Sequence, residues 1–148
     1  MSVESIRRVP TLTEGAEGRA GIAGREPMVT DALSRLRLGS ALRACQVASE
    51  ACGRAIPDLS SLEDGRVRAL TDGLELSELC AQALGRALEG SVSPFLEDEL
   101  TLCAKVARVA VEAVAGEPSL EPCQRACAAC ADACDRVLTA RSAGRSAA

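Results

Sequence analysis

The chain has 148 residues, a formal net charge of −4, eight cysteines, a single aromatic residue (Phe95) and no histidine, tryptophan or tyrosine. Without an imidazole it has no Ser-His or Cys-His catalytic pair and no His-ligated zinc site. Its acidic balance lacks the basic face that binds nucleic acid, and it has no run of about 18 apolar residues to span a membrane.

The length sets a single folded domain, and strand formers are scarce and scattered. The expected fold is therefore all-α, with a core of Leu, Val, Ala and Cys between closely spaced helices. Residues 1–27 read as a flexible arm, because Gly15, Gly18, Gly21 and Gly24 recur among Glu, Arg and Ala with Pro10 and Pro27 nearby. The arm is a linker, or a segment through which a partner docks. Arg7-Arg8 is followed by Val-Pro-Thr-Leu-Thr-Glu-Gly, with no apolar stretch for a signal peptide. The two arginines read as solvated charges, and the expected location is cytoplasmic.

Residues 28–140 carry four helical segments. The first starts near Thr30-Asp31 and stops by Ile56-Pro57, with Leu33, Leu36, Leu42, Cys45, Val47 and Cys52 as apolar residues. The second opens on Ser60-x-x-Glu63, a capping box in which each residue satisfies the other's free backbone donor. It runs through Leu70, Leu74, Leu76, Leu79, Cys80 and Leu84 to Gly90. The third begins at Ser93-Pro94, a cap followed by proline, and carries Leu96, Leu100, Cys103, Val106, Val109, Ala110 and Val114 before Gly116 ends it. The fourth starts around Ser119 to Pro122 and continues through Val137 and Leu138. Residues 141–148 read as a small, polar, frayed tail. Connections of a few residues make neighbouring helices antiparallel, giving an up-down-up-down four-helix bundle.

The fourth segment holds the most informative pattern. Cys123, Cys127, Cys130 and Cys134 follow at intervals of 4, 3 and 4, with Ala, Gln, Arg and Asp between them. At about 100° per residue they fall within roughly 60° of one helix face. Side chains four apart have Cβ atoms roughly 5–6 Å apart, so Cys123/Cys127 and Cys130/Cys134 could each clasp one ion, with Cys127/Cys130 bridging the pairs. Cu(I) accepts few ligands and prefers thiolate. Cys45-Gln-Val-Ala-Ser49-Glu-Ala-Cys52 aligns without gaps on Cys123–Cys130, so the first helix reads as a thinned copy of the fourth. Inside a bundle, Cys45, Cys52, Cys80 and Cys103 could face the same core.

This cysteine run on an Ala-rich helix resembles the four-helix-bundle copper storage proteins, as a cysteine-depleted member of that family. The resemblance implies Cu(I) held by Cys123, Cys127, Cys130 and Cys134, then by Cys45 and Cys52, and more weakly by Cys80 and Cys103. It also implies copper ions as the partner, homo-oligomers, and sequestration or buffering without enzymatic turnover. The chain departs from the family where Val106, Ala110 and Val114 replace further cysteines beside Cys103, and in lacking histidine altogether.

Rival readings are a structural or interaction bundle whose cysteines only pack, a zinc site and a redox dithiol. Zinc needs four ligands in a tetrahedron, which one helix face cannot supply, and Cys45 and Cys52 lie about 10 Å apart along their helix. A dithiol at Cys127 and Cys130 lacks the strand–helix setting of such motifs. The acidic run Glu97-Asp98-Glu99 is explained by the dipole at the start of its helix.

Overall fold

The computed structural model describes residues 32–59 and 64–147. They form α1 (Ala32–Ala55), α2 (Asp64–Leu88), α3 (Leu96–Ala113) and α4 (Glu121–Ala147), with 3₁₀ turns at Ile56–Leu59 and Pro118–Leu120. No strand occurs among the described residues. α1 packs on α2 and α4, and α3 packs on the same two helices, which closes the antiparallel four-helix bundle expected from the short connections. The arm 1–27 and the Ser60–Glu63 capping box lie outside the described residues.

Helix ends follow local chemistry. α2 stops in a Schellman motif: Gly90 takes φ +98°, its N–H reaches the Ala87 carbonyl (3.0 Å), and the Ser91 N–H reaches Arg86 (2.9 Å). A β-carbon would be strained in that left-handed conformation. Gly116, at φ +87°, also takes the left-handed conformation just past α3, where the Glu117 N–H reaches the Val114 carbonyl at 3.3 Å. α3 begins slightly later than Ser93-Pro94 predicts. The Leu96 N–H bonds the Ser93 carbonyl (3.1 Å) in a three-residue turn, and the α-helical ladder starts with Glu99 N–H to Phe95 O (2.9 Å). The Ser93 hydroxyl accepts the Phe95 N–H at 3.0 Å in the turn before the helix. The cap position therefore falls on Phe95, which has no side-chain capping bond, and not on Ser93.

The expected tail after Arg141 is instead helix as far as Ala147. Arg141 and Arg145 both bond Glu97, which ties this extension to the first turn of α3 and holds the Glu97 carboxyl below the usual range, Arg141 contributing most.

The core differs from an all-leucine bundle. Its central layer is Ala and Cys: Ala41, Cys45, Ala48 and Cys52 on α1, Cys103, Ala107 and Ala110 on α3, and the four cysteines of α4. Small side chains let the helices approach closely, which leaves no room there for leucine. Leu33, Leu36, Val47, Leu79 and Val109 accordingly face outward, at 37% exposure or more. Larger residues close the two ends. Leu59, Leu70, Val114 and Leu120 are buried at one end, and Leu38, Leu84, Leu96 and Leu100 at the other. Burying each such side chain contributes about 1.5–3 kcal/mol, so Leu84→Ala would cost about 2–5 kcal/mol. The sulfur layer therefore lies between two apolar plugs.

Candidate metal centre

All eight cysteines are buried, unpaired thiols. The 4-3-4 spacing on α4 turns Cys123, Cys127, Cys130 and Cys134 inward, and α1 runs antiparallel beside them. Cys52 therefore meets the start of the strip: its Sγ lies 3.5 Å from Cys127 and 3.9 Å from Cys123. Cys45, two turns earlier on α1, meets the far half, 3.6 Å from Cys130 and 4.0 Å from Cys134. From α3, Cys103 comes within 3.8 Å of Cys130.

Two groups result, and the sulfurs within each lie within 4.8 Å of one another. One is the tetrad Cys45, Cys103, Cys130 and Cys134, and the other is the trio Cys52, Cys123 and Cys127. The two α4 pairs recognised in the sequence stay together, one in each group. Cys127 and Cys130 fall into different groups.

The geometric objection to zinc does not survive. It required Cys45 and Cys52 to share one ion, whereas each joins a different α4 pair and Cys103 completes a fourfold set from three helices. Cys103, isolated in sequence, is an integral member of the tetrad. Cys80 belongs to neither group. Its thiol donates to the Glu99 carbonyl oxygen at 3.2 Å, and Cys103 beside it raises its pKa.

Sequence reasoning overlooked Ser77. It is 2% exposed and the one buried polar residue among those described. Its hydroxyl lies 3.9 Å from Cys130 Sγ. The signal was its place on α2, where Gly73, Ser77 and Cys80 share one face at helical spacing. Gly73 lies against the trio, and a β-carbon there would make ordinary contacts, 3.5 Å from Cys52 Sγ and 3.7 Å from Ala110 Cβ. Ser49, by contrast, bonds its own helix at Gln46 O (3.0 Å) and does not take the role of Cys127 that the sequence echo implied.

Each group concentrates negative charge on one sulfur. The Cys103 thiol is pulled well below the usual range by its cysteine neighbours, first Cys130, then Cys134, Cys45 and Cys80. Cys45, Cys80 and Cys134 are raised in turn, each chiefly by Cys103. In the trio, Cys123 falls to about 4 through Cys127 and then Cys52. Cys127 is raised and Cys52 is pushed up to about 12, each chiefly by its neighbour Cys123. Such a set of soft donors can bind soft metal ions, releasing the remaining protons as it does so.

No helix among the described residues is long and apolar enough to cross a membrane. No curated protein and no solved structure matches the chain. The profile of Csp, the copper storage protein family, matches residues 34–139, from the first turn of α1 to the later turns of α4. That stretch contains every cysteine and both sulfur groups, and on it the chain belongs to the copper storage protein family.

Proposed function

We propose that the protein binds Cu(I) through its core thiolates and sequesters or buffers it without turnover. The observation that carries this reading is the gathering of seven buried sulfurs into two groups, with the Ser77 hydroxyl against the tetrad and a buried carboxylate oxygen of Glu99 on the Cys80 side. The choice of ion follows from charge. The buried core of the described residues contains no cationic side chain to balance thiolates, and uncompensated charge in an apolar interior is costly. One divalent ion on four thiolates leaves two negative charges in the core. Monovalent ions taken up at about one per thiolate leave none. Softness favours the same ion.

The ligands under this proposal are Cys45, Cys103, Cys130 and Cys134 in one cluster and Cys52, Cys123 and Cys127 in the other, with Cys80 extending the first. A reducing, cytoplasmic compartment would keep all eight thiols free. Self-association of the kind implied by the family resemblance is part of the proposal and is read by sedimentation.

The test is an anaerobic titration of reduced protein with Cu(I) against a competing chelator, followed by thiolate-to-metal absorption. The unaltered chain takes up several equivalents. Replacing Cys123, Cys127, Cys130 and Cys134 with Ala removes most of the uptake while circular dichroism still reports helix. Undiminished uptake in that variant would refute the assignment. A bundle whose cysteines merely pack would show negligible uptake in the unaltered chain.

A further inference from the structure

The trio is not sealed like the tetrad. Above it lies a surface cavity of about 180 Å³ between the end of α1 and the start of α4, with Cys123 in its lining beside Ala55, Ser119 and Pro122. Arg54 and Asp58 line the same cavity. Both are exposed, and among the described residues neither has an ion pair. The cavities lined by Ser34 and Arg37, by Glu97 and Arg145, and by Val67 and Arg68 contain no cysteine. A cation, an anion and a thiol around a space of this size match three groups of one small molecule. They are the carboxylate, the ammonium and the sulfur of an amino-acid thiol.

We propose that this cavity is the loading port, and that it docks the Cu(I) complex of a zwitterionic amino-acid thiol such as cysteine. The carrier's carboxylate sits on Arg54 and its ammonium on Asp58, which brings the copper to Cys123. The inference rests on the copper-sequestering reading above. Transfer is ligand exchange at constant oxidation state. Copper arrives with two carrier thiolates. Cys123, the thiolate of the trio, forms a Cu–S bond as one carrier Cu–S bond breaks, and that carrier departs as a thiolate. Cys127 or Cys52 then replaces the second carrier sulfur, its proton leaving on that sulfur. One carrier thiolate and one carrier thiol depart, and a Cu(I) bis-thiolate of the same charge as the delivered complex remains in the trio.

Stopped-flow uptake under anaerobic conditions tests the port, with copper delivered either as its bis-cysteine complex or in acetonitrile, a neutral ligand without carboxylate or ammonium. Arg54→Ala and Asp58→Ala should each slow uptake from the cysteine complex about tenfold, the effect of losing one charge-assisted contact. Uptake from acetonitrile and the final copper content should not change. Arg68→Ala, which alters charge at a different cavity, should change neither rate. If Arg54→Ala is no slower than Arg68→Ala with the cysteine complex, or slows both deliveries equally, the port is refuted while the storage reading stands. If the unaltered protein takes copper from neither source, the storage reading itself fails.

Discussion

The trio and the tetrad are built from the same residue type, yet the bundle treats them differently. The trio draws on α1 and α4 alone and lies beneath a surface cavity that Cys123 lines. The tetrad draws on three helices, has Cys80 and Ser77 against it, and is buried in the middle of the bundle. The difference teaches that a cysteine's role depends on where antiparallel neighbours place it. Cys123 and Cys134 are indistinguishable within the α4 strip, but only one of them is near the surface.

The largest effect expected from breaking this comparison comes from Cys130→Ala. Cys130 touches both Cys45 and Cys103, so its loss should remove most of the tetrad's copper while the trio keeps its own, and Cys127→Ala should do the reverse. Copper content after gel filtration checks both variants. Equal losses at equal affinity would mean that the sulfurs act as one pool.

Acidity sharpens the comparison next. In the trio Cys123 is at about 4, Cys52 at about 12, and Cys127 is raised, so near neutral pH the group carries one thiolate and two thiols. Two protons must leave when all three sulfurs bind metal. Copper affinity of a variant lacking the tetrad should therefore rise about a hundredfold per pH unit through the neutral range, and fall more steeply below about 4, where a third proton competes. A pH series against a competitor of known protonation measures the slope. A slope near zero would contradict the assigned protonation states.

Ser77→Cys places a ninth thiol against Cys130 and should add about one Cu(I) to the tetrad's content, whereas Ser77→Ala should leave the content unchanged. The smallest effect is on stability. Gly73→Ala replaces a helix-interior glycine, and its β-carbon would make ordinary contacts with Cys52 and Ala110. Thermal unfolding should show a gain of about 0.5–1 kcal/mol, with the tetrad's copper unaffected.

Much of this was legible in the sequence. The spacing of α4 exposes its sulfur face because helical periodicity is local. The gap-free echo in α1 identified Cys45 and Cys52 for the same reason. Cys103 was legible only as a weak candidate and Ser77 was overlooked, since the packing of α3 and α2 against α4 is what gives each its place. Zinc was set aside on the wrong ground, because one-helix geometry cannot foresee four sulfurs converging from three helices. The run of α4 past Arg141 was missed because its anchor, Glu97, lies far away in sequence on α3.

X-ray absorption at the copper edge, on protein loaded anaerobically with Cu(I), tests the central claim most directly. Thiolate clusters in a histidine-free core predict a sulfur-only coordination shell together with copper–copper scattering. Nitrogen or oxygen neighbours around isolated copper ions would contradict it.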